Sequence, residues 1–339
     1  MSDKKKHTGL AVFLAVIGIA VLFAAFSSIQ AIKNFASEKI EENTDSEVFS
    51  TNINKGKKHG KNAKQPKEYI ARLYITGVIS EGNNTYNQQW LIDTIDELEA
   101  DENNRGIILY INSPGGTVYE SDEAYLRLLA YKEHKPLYAY FAQLAASGGY
   151  YIGCAADYIM ANRNSITGSI GVISGQFTDL TELMEKYGIK SETIHAGKNK
   201  NMGNYNEPTT DEQRAIMQAM ADECYDQFTD IVATARGLSK QQVVNLADGR
   251  IYTAKQAQDK KLIDAIGSWD EMVSTMQQSE FDEAEYEVID YSYKPQDSLY
   301  RYLLGFSRLR GVSSLLPGAV EEELTPKTKF PAYYYEGAR

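Results

Sequence analysis

The longest apolar stretch of the chain lies near its N-terminus, at residues 9–26. A helix needs roughly 17–25 apolar residues to span the hydrocarbon core of a bilayer, so this stretch predicts a transmembrane anchor. Three lysines at 4–6 precede it, which favours a cytoplasmic position for residues 1–8 and an extracytoplasmic position for the rest of the chain. A cleaved signal peptide, with a weak site near Ala31, is the alternative interpretation.

Residues 27–66 are polar and contain few core-forming side chains, with an acidic stretch followed by a basic one. This pattern predicts a solvated linker, although the basic cluster also suits anionic headgroups or cell-wall polymers. A folded domain is predicted over residues 67–278. The pattern weakens in the C-terminal extension, residues 279–339, where we expect partial order at best.

Within the domain, short apolar runs typical of buried strands alternate with helical patterns. The strand-like runs are 70–75, 106–112, 136–141, 158–161 and, more weakly, 191–194. A helix over residues 90–100 has Leu91, Ile95 and Leu98 on one face. Alternation of this kind favours a layered α/β architecture.

A second, longer helix is predicted over residues 211–236. Thr209 and Glu212 form a capping-box pattern at its start, and Gly237 follows its end. Its predicted apolar face consists of Ile216, Met220, Cys224, Phe228, Ile231 and Ala235. The pairs Ser239 with Gln242 and Thr253 with Gln256 mark two further helix starts.

Charge and cysteine content exclude several classes of function. The net charge is −11, which argues against a nucleic-acid binder. Cys154 and Cys224 are the two cysteines, and no metal-binding spacing such as C-x-x-C is present, so we expect no zinc site. Free thiols buried in helices are favoured over a disulfide between them.

Three small-residue turns contain the candidate chemistry. Ser147 follows a predicted strand in the sequence Ala-Ala-Ser-Gly-Gly, where a helix start would offer unpaired N–H groups to an oxyanion. An ordinary N-cap serine is the alternative. The turn at 112–116 ends in two glycines, which suit either carbonyl recognition or simple turn formation. The turn at 167–172 contains Ser169, a candidate for orienting a catalytic base.

A nucleophilic serine needs a base. None of the four histidines has a recognisable triad context: His7, His59, His134 and His195. Lysine is the other option, since an uncharged amine can accept the proton of a serine. Lys198 and Lys200 follow Gly197 downstream of Ser147, and reasoning from the residues leaves both open, beside the alternative that they are surface charges.

Five motifs together resemble the bacterial signal peptide peptidase A family, in its short Gram-positive form. They lie at 112–116 (NSPGG), 145–151 (AASGGYY), 167–172 (TGSIGV), 248–252 (DGRIY) and 262–267 (LIDAIG). The resemblance covers about residues 69–276, and its specificity comes from the order and spacing of the motifs.

The resemblance implies a ClpP/crotonase-like fold of stacked ββα units and a membrane-anchored serine endopeptidase that degrades remnant signal peptides. Ser147 matches the nucleophile of the family, Lys200 its general base and Ser169 the hydroxyl that orients the lysine. Gly116 and Gly148 match the oxyanion-hole donors. No cofactor is implied, and family members form homo-oligomeric rings in which the lysine acts within or across subunits.

The expected partners are therefore apolar peptides, further copies of the chain and, through residues 9–26, the lipid bilayer, but not nucleic acid. Two rival functions remain open: an inactive anchored scaffold of the same fold, and a crotonase-type enzyme acting on acyl thioesters. The C-terminal sequence 330–335, with three consecutive tyrosines, suggests a hypothesis that the tail occupies a substrate groove. A disordered end is the alternative.

Overall fold

The computed structural model describes residues 67–295 and the backbone of residues 332–334. The predicted N-terminus (1–8), anchor (9–26) and linker (27–66) lie outside the described residues. Among the helices that are described, none has the length and apolar character that crossing a membrane requires.

A sheet of eight strands, mostly parallel, forms the centre of the fold. The strands described are β1 (Tyr69–Thr76), β2 (Asn104–Ser113), β3 (Gly115–Thr117), β4 (Leu137–Ala146), β5 (Tyr158–Ala161), β6 (Ile166–Gly168), β7 (Ile251–Thr253), β8 (Ala265–Ile266), β9 (Glu287–Tyr291) and β10 (Ala332–Tyr334). The order across the sheet is β7-β6-β4-β2-β1-β9, with β5 also on β4 and β8 on β5. Strand β3 lies outside this sheet and pairs with β10.

The helices of the described residues cover the sheet and extend from it. They are α1 (Gln88–Ala100), α2 (Val118–Lys132), α3 (Gly148–Gly153), α4 (Thr181–Lys186), α5 (Asp211–Arg236), α6 (Lys240–Val244), α7 (Ala254–Asp259) and α8 (Trp269–Glu280). Leu91, Ile95 and Leu98 are buried on α1, as predicted. The predicted capping boxes at the starts of α6 and α7 are also confirmed. The architecture is mixed α/β.

Alternate side chains of the central strands enter two hydrophobic clusters, which explains why β2 reads as a continuous apolar run. Ile107, Leu109 and Ile111 point into the larger cluster, which includes residues of α1, α2 and α3. Ile108 belongs to the smaller cluster, which includes Met272 and Met276 of α8. The central strands are therefore covered on both faces.

The cap of α5 is shifted by one residue from its predicted position. The Thr210 side chain accepts from the N–H of Gln213, and the Gln213 side chain accepts from the N–H of Thr210. The predicted capping box of Thr209 and Glu212 is therefore wrong. Glu212 instead contacts the loop before the helix. Two adjacent threonines precede the helix, and the sequence did not indicate which of them would cap it.

The predicted apolar face of α5 is correct only in the C-terminal half of the helix. Phe228 is buried there, together with Thr229 and Val232. In the N-terminal half Met220 is 39% exposed, although helical periodicity placed it on the buried face. Periodicity shows which residues share a face but not whether anything covers that face.

Two further segments differ from the sequence-based expectations. Residues 191–194 lie outside any strand and are exposed, so the predicted strand is wrong. Strand β9 pairs in parallel with β1, so the main sheet continues past residue 278 into the segment predicted as a C-terminal extension. No disulfide joins Cys154 and Cys224, as predicted; Cys154 is buried, whereas Cys224 is only half-buried.

Candidate active site

Three parallel strands end at the same edge of the sheet, and the three small-residue turns follow them. The end of β2 pairs with β4 through Ser113 and Ala145, and the end of β4 pairs with β6 through Ala146 and Gly168. Sites in open α/β sheets form outside the carboxyl ends of parallel strands. This register brings together the turns that contain Gly116, Ser147 and Ser169.

Ser147 lies between β4 and α3 in an unusual backbone conformation. Its φ is 54° and its ψ is −119°, which costs a non-glycine residue on the order of 1–3 kcal/mol. Its N–H donates to the carbonyl oxygen of Gly168 at 2.8 Å, and its own carbonyl accepts from Tyr151 at 2.9 Å. The backbone bonds of the turn therefore hold the strained conformation.

The hydroxyl of Ser147 has no hydrogen-bond partner among the described residues, although the residue is only 1% exposed. The ordinary N-cap interpretation requires a bond from this side chain to the first turn of α3, and no such bond is present. A buried polar atom without a partner is rare and calls for an explanation. The geometry favours a nucleophile over a structural cap.

Gly116 sits in the middle of β3 against Ile79. The N–H of Ile79 donates to the carbonyl of Gly115 at 2.9 Å, and the N–H of Thr117 donates to the carbonyl of Ile79 at 3.0 Å. A Cβ atom on Gly116 would lie 1.8 Å from the carbonyl oxygen of Ile79, so only glycine fits. Because backbone groups alternate along a strand, the N–H and C=O of Gly116 point away from Ile79.

Gly148 is the first residue of α3, so its N–H has no acceptor within the helix. Gly149, the next residue, allows α3 to pack closely against the end of β2. A Cβ atom on Gly149 would lie 3.0 Å from the carbonyl oxygen of Ser113. Gly116 and Gly148 thus place backbone N–H groups that bond neither to Ile79 nor within α3 on the two turns that follow the neighbouring strands β2 and β4.

Ser169 is 7% exposed and has a positive φ of 51°. Its N–H donates to the carbonyl of Arg250 at 2.8 Å. The Arg250 guanidinium in turn lowers the pKa of Asp248 to about 2, chiefly through the hydrogen bonds between the two side chains. The motif at 248–252 therefore supports the turn of Ser169, a role that its sequence alone did not indicate.

The structure does not bring either candidate lysine onto Ser147. The Lys198 side chain is 76% exposed and forms an ion pair with Glu212. That contact, together with a 3.1 Å bond from Asn199, lowers the pKa of the Glu212 carboxyl. Lys200 is exposed, and its amine has no hydrogen bond or ion pair within the described part of the chain.

The described histidines are surface residues, as expected. The His134 side chain is 62% exposed beside Glu99, and the His195 ring is exposed beside the carbonyl of Gly197. Within residues 67–295 no group of three or more His, Cys, Asp or Glu side chains is arranged to hold a metal ion.

Residues 130–281 match the sequence model of Peptidase family S49. A protein of Methanocaldococcus jannaschii named as a protease is 33% identical over 262 residues, which cover 74% of this chain and 84% of that protein. A protein of Enterococcus faecium named as signal peptide peptidase SppA is 33% identical over 79% of this chain and 81% of its own length. The chain belongs to peptidase family S49.

Within S49 the chain falls in the signal peptide peptidase A family, and it is a serine peptidase. The chloroplastic serine protease SPPA of Arabidopsis thaliana is 32% identical over 73% of this chain and 37% of that protein. Among solved structures, a membrane-bound stomatin-specific protease aligns with a TM-score of 0.44 and 14% identity, covering 68% of this chain and 100% of that one.

Proposed function

We propose that this S49 peptidase is a membrane-anchored endopeptidase that degrades remnant signal peptides and other apolar peptides at the outer face of the cytoplasmic membrane. One observation carries the proposal: the Ser147 hydroxyl is buried and lacks a partner among the described residues. The anchor is residues 9–26. The names of the relatives support signal peptides as substrates.

The proposed reaction uses a serine and a lysine. Ser147 attacks the scissile carbonyl carbon while the uncharged amine of Lys200 accepts its proton. The oxyanion is stabilised by the N–H groups of Gly116 and Gly148, each worth roughly 3–4 kcal/mol of barrier. Lys200 then protonates the leaving amine, and water releases the acyl group by the same steps. Ser169 orients the lysine amine.

Lys200 suits the role of base better than Lys198. A general base must lose its proton at working pH. The amine of Lys198 is engaged in an ion pair with Glu212. Lys200 has no anionic partner among the described residues. Its amine is therefore available to the Ser147 hydroxyl, which has no hydrogen-bond partner among those residues.

We further propose that the lysine reaches Ser147 from a neighbouring copy in a homo-oligomeric ring. The loop of Lys198 is tied to Glu212 at the start of α5. The same helix contacts Tyr151, one turn beyond Ser147, through Gln227 at 2.8 Å. Those two points on α5 are separated by about four turns, or roughly 22 Å. A lysine that far along the helix is better placed to serve another subunit.

The segment around the lysine loop also supports assembly. It exposes large apolar side chains, which in a monomer would face water without compensation. These are Ile173, Leu183, Tyr187, Ile189, Ile194 and Tyr205, with Ile194 94% exposed. In the proposed ring these side chains contact the next copy. The fold of the ring-forming unit is proposed as ClpP/crotonase-like, built from stacked ββα units.

A fluorophosphonate probe and subunit mixing test the proposal. The probe should label the wild type and not Ser147→Ala; a labelled Ser147→Ala would contradict the nucleophile, and an unlabelled wild type would favour the inactive scaffold. Ser147→Ala and Lys200→Ala should each be inactive alone. Refolded together, they should recover about a quarter of the sites if head-to-tail interfaces build each dyad from two copies. If no active sites were recovered, the proposal that the lysine comes from a neighbouring copy would be contradicted.

A further inference from the structure

Tyr151 lies on α3, one helical turn beyond Ser147, and its side chain has no part in the proposed reaction. The residue is fully buried. Its backbone N–H donates to the carbonyl oxygen of Ser147 at 2.9 Å. Because α3 has only six residues, a displacement of Tyr151 is passed on to the turn that contains Ser147.

The hydroxyl of Tyr151 belongs to a closed ring of three hydrogen bonds. It donates to a carboxylate oxygen of Asp122 at 2.5 Å and accepts from the side-chain amide of Gln227 at 2.8 Å. The same amide donates to the same Asp122 oxygen at 2.9 Å. Hydrogen bonds to a carboxylate are roughly twice as strong as neutral ones. The ring therefore fixes the direction of the Tyr151 side chain.

The aromatic ring of Tyr151 packs against the same two helices that its hydroxyl contacts. The ring centroid of Tyr125, on α2, lies 5.3 Å away in an edge-to-face arrangement, and that of Phe228, on α5, lies 5.0 Å away. Aromatic pairs of this kind favour a defined geometry in addition to burying apolar area. Tyr151 thus joins α2, α3 and α5 through both its ring and its hydroxyl.

Two of the joined helices follow the proposed oxyanion donors. Helix α2 begins directly after β3, the strand that contains Gly116, and α3 begins at Gly148. The two donors therefore lie on separate segments of the chain, and the contact between α2 and α3 helps to set their separation. Groups that stabilise a transition state must be held within roughly 0.5 Å of their working positions.

We propose that Tyr151 is a positioning residue for the proposed oxyanion hole. Its hydroxyl, bonded to Asp122, holds Gly116 and Gly148 at the separation that the oxyanion requires. Gln227 completes the hydrogen-bond ring and keeps the hydroxyl and the carboxylate together. The inference deepens the proposed function and rests on its assignment of Ser147 as the nucleophile.

Tyr151→Phe, compared with Tyr150→Phe, tests the inference. Tyr150 is equally buried on the same helix, but its hydroxyl donates to the carbonyl oxygen of Leu262, at 2.8 Å, and not to α2. Each variant loses one buried hydroxyl, so each should lower Tm by about 2–4 °C. Only Tyr151→Phe should lower kcat, about 10-fold or more, with KM unchanged, because the donors act in the transition state.

The fluorophosphonate probe gives a second measurement, which does not depend on peptide binding. Its reaction with Ser147 needs the same oxyanion donors, so the rate of labelling should fall about 10-fold in Tyr151→Phe and stay close to the wild-type rate in Tyr150→Phe. A loss confined to stability, equal in the two variants, would make Tyr151 a structural residue and overturn the inference.

Variants of Asp122, which is only half-buried, serve if Tyr151→Phe folds poorly. Asp122→Ala removes the acceptor and should lower kcat as much as Tyr151→Phe does. Asp122→Asn retains an acceptor oxygen and should restore most of the rate. The double variant Tyr151→Phe/Asp122→Ala should be no less active than either single variant, since both changes remove the same contact. Losses that multiply would contradict the proposed link.

Failure of this inference is distinguishable from failure of the proposed function. A wild type that is neither labelled nor active would overturn the proposed function, and with it the catalytic role of Tyr151. A wild type that is labelled and active, with Tyr151→Phe as active as Tyr150→Phe, would overturn the role of Tyr151 alone.

Discussion

The N–H of Ser147 donates a 2.8 Å hydrogen bond to the carbonyl oxygen of Gly168. The turn of Ser147, the proposed nucleophile, is thereby joined directly to the turn that contains Ser169. Gly168 has a φ of +86°, and a Cβ atom there would lie 2.6 Å from the Tyr252 ring. The position of the serine thus depends on the backbone of a residue that takes no part in the chemistry.

Gly168→Ala should displace this carbonyl and with it Ser147. We expect a loss of stability of about 1–3 kcal/mol, from the positive φ and the contact with Tyr252. Peptide hydrolysis should fall about 10²-fold, as expected when a reacting group moves by about 1 Å. Thermal unfolding and hydrolysis rates measure the two effects.

Gly237→Ala is the matched control. Gly237 also has a positive φ, of 61°, at the end of α5, but the space around it is open. This change should cost about 1 kcal/mol of stability and leave hydrolysis unaltered. If both variants lost activity in proportion to their stability, the specific link between Gly168 and Ser147 would be refuted.

Lys200→Ala should abolish hydrolysis, whereas Lys198→Ala should retain most of it. Lys198 forms its ion pair with Glu212 at an exposed site, where such pairs contribute roughly 0–1 kcal/mol. The wild-type rate should rise from acid to alkaline pH, because only an uncharged amine accepts the serine proton. Rates of both variants and a pH profile check this; a larger loss in Lys198→Ala would reverse the assignment.

The two cysteines should differ in reactivity. Burial raises the pKa of the Cys154 thiol to about 12, and the residue is only 3% exposed. Since the thiolate is the reactive form, alkylation of the native protein at pH 8 should spare Cys154. Cys224 is half-buried on α5 and should react first. Labelling of Cys154→Ser but not of Cys224→Ser is the expected result, and the opposite pattern would contradict the burial of Cys154.

Strand β9 should be required for a stable fold. It pairs with β1, and the hydroxyl of Tyr291 donates to that of Tyr69 at 3.0 Å. A chain ending at residue 286 keeps α8 but leaves the edge of β1 unpaired, so we expect it to aggregate or to lose several degrees in Tm. A chain ending at residue 295 retains β9 and should melt at a higher temperature than the chain ending at residue 286. Equal melting temperatures would show that β9 contributes little.

The sequence predicted the parts of the fold that depend on local patterns. Apolar runs indicated β1, β2, β4 and β5, because strands covered on both faces are apolar throughout. Capping pairs indicated the starts of α6 and α7, since a cap involves residues three apart. The three small-residue turns were recognised as candidate chemistry because each is a short, continuous run of sequence.

What the sequence could not show depends on contacts between distant residues. Ile79 supports Gly116, and Arg250 supports Ser169, across long stretches of chain. No local pattern reveals such pairs. The exposure of Met220 and the pairing of β10 with β3 likewise depend on what lies opposite them in space. The choice of Lys200 over Lys198 stays a prediction, which the ion pair of Lys198 with Glu212 supports.

Glycine would occupy the backbone conformation of Ser147 with little strain, and serine does not. Replacing the whole CH2OH side chain of Ser147 by a hydrogen atom should therefore stabilise the fold. The proposed role of Ser147 as the nucleophile accounts for a serine at a position where it costs stability. Ser147→Gly should accordingly yield a protein that is harder to unfold and unable to react.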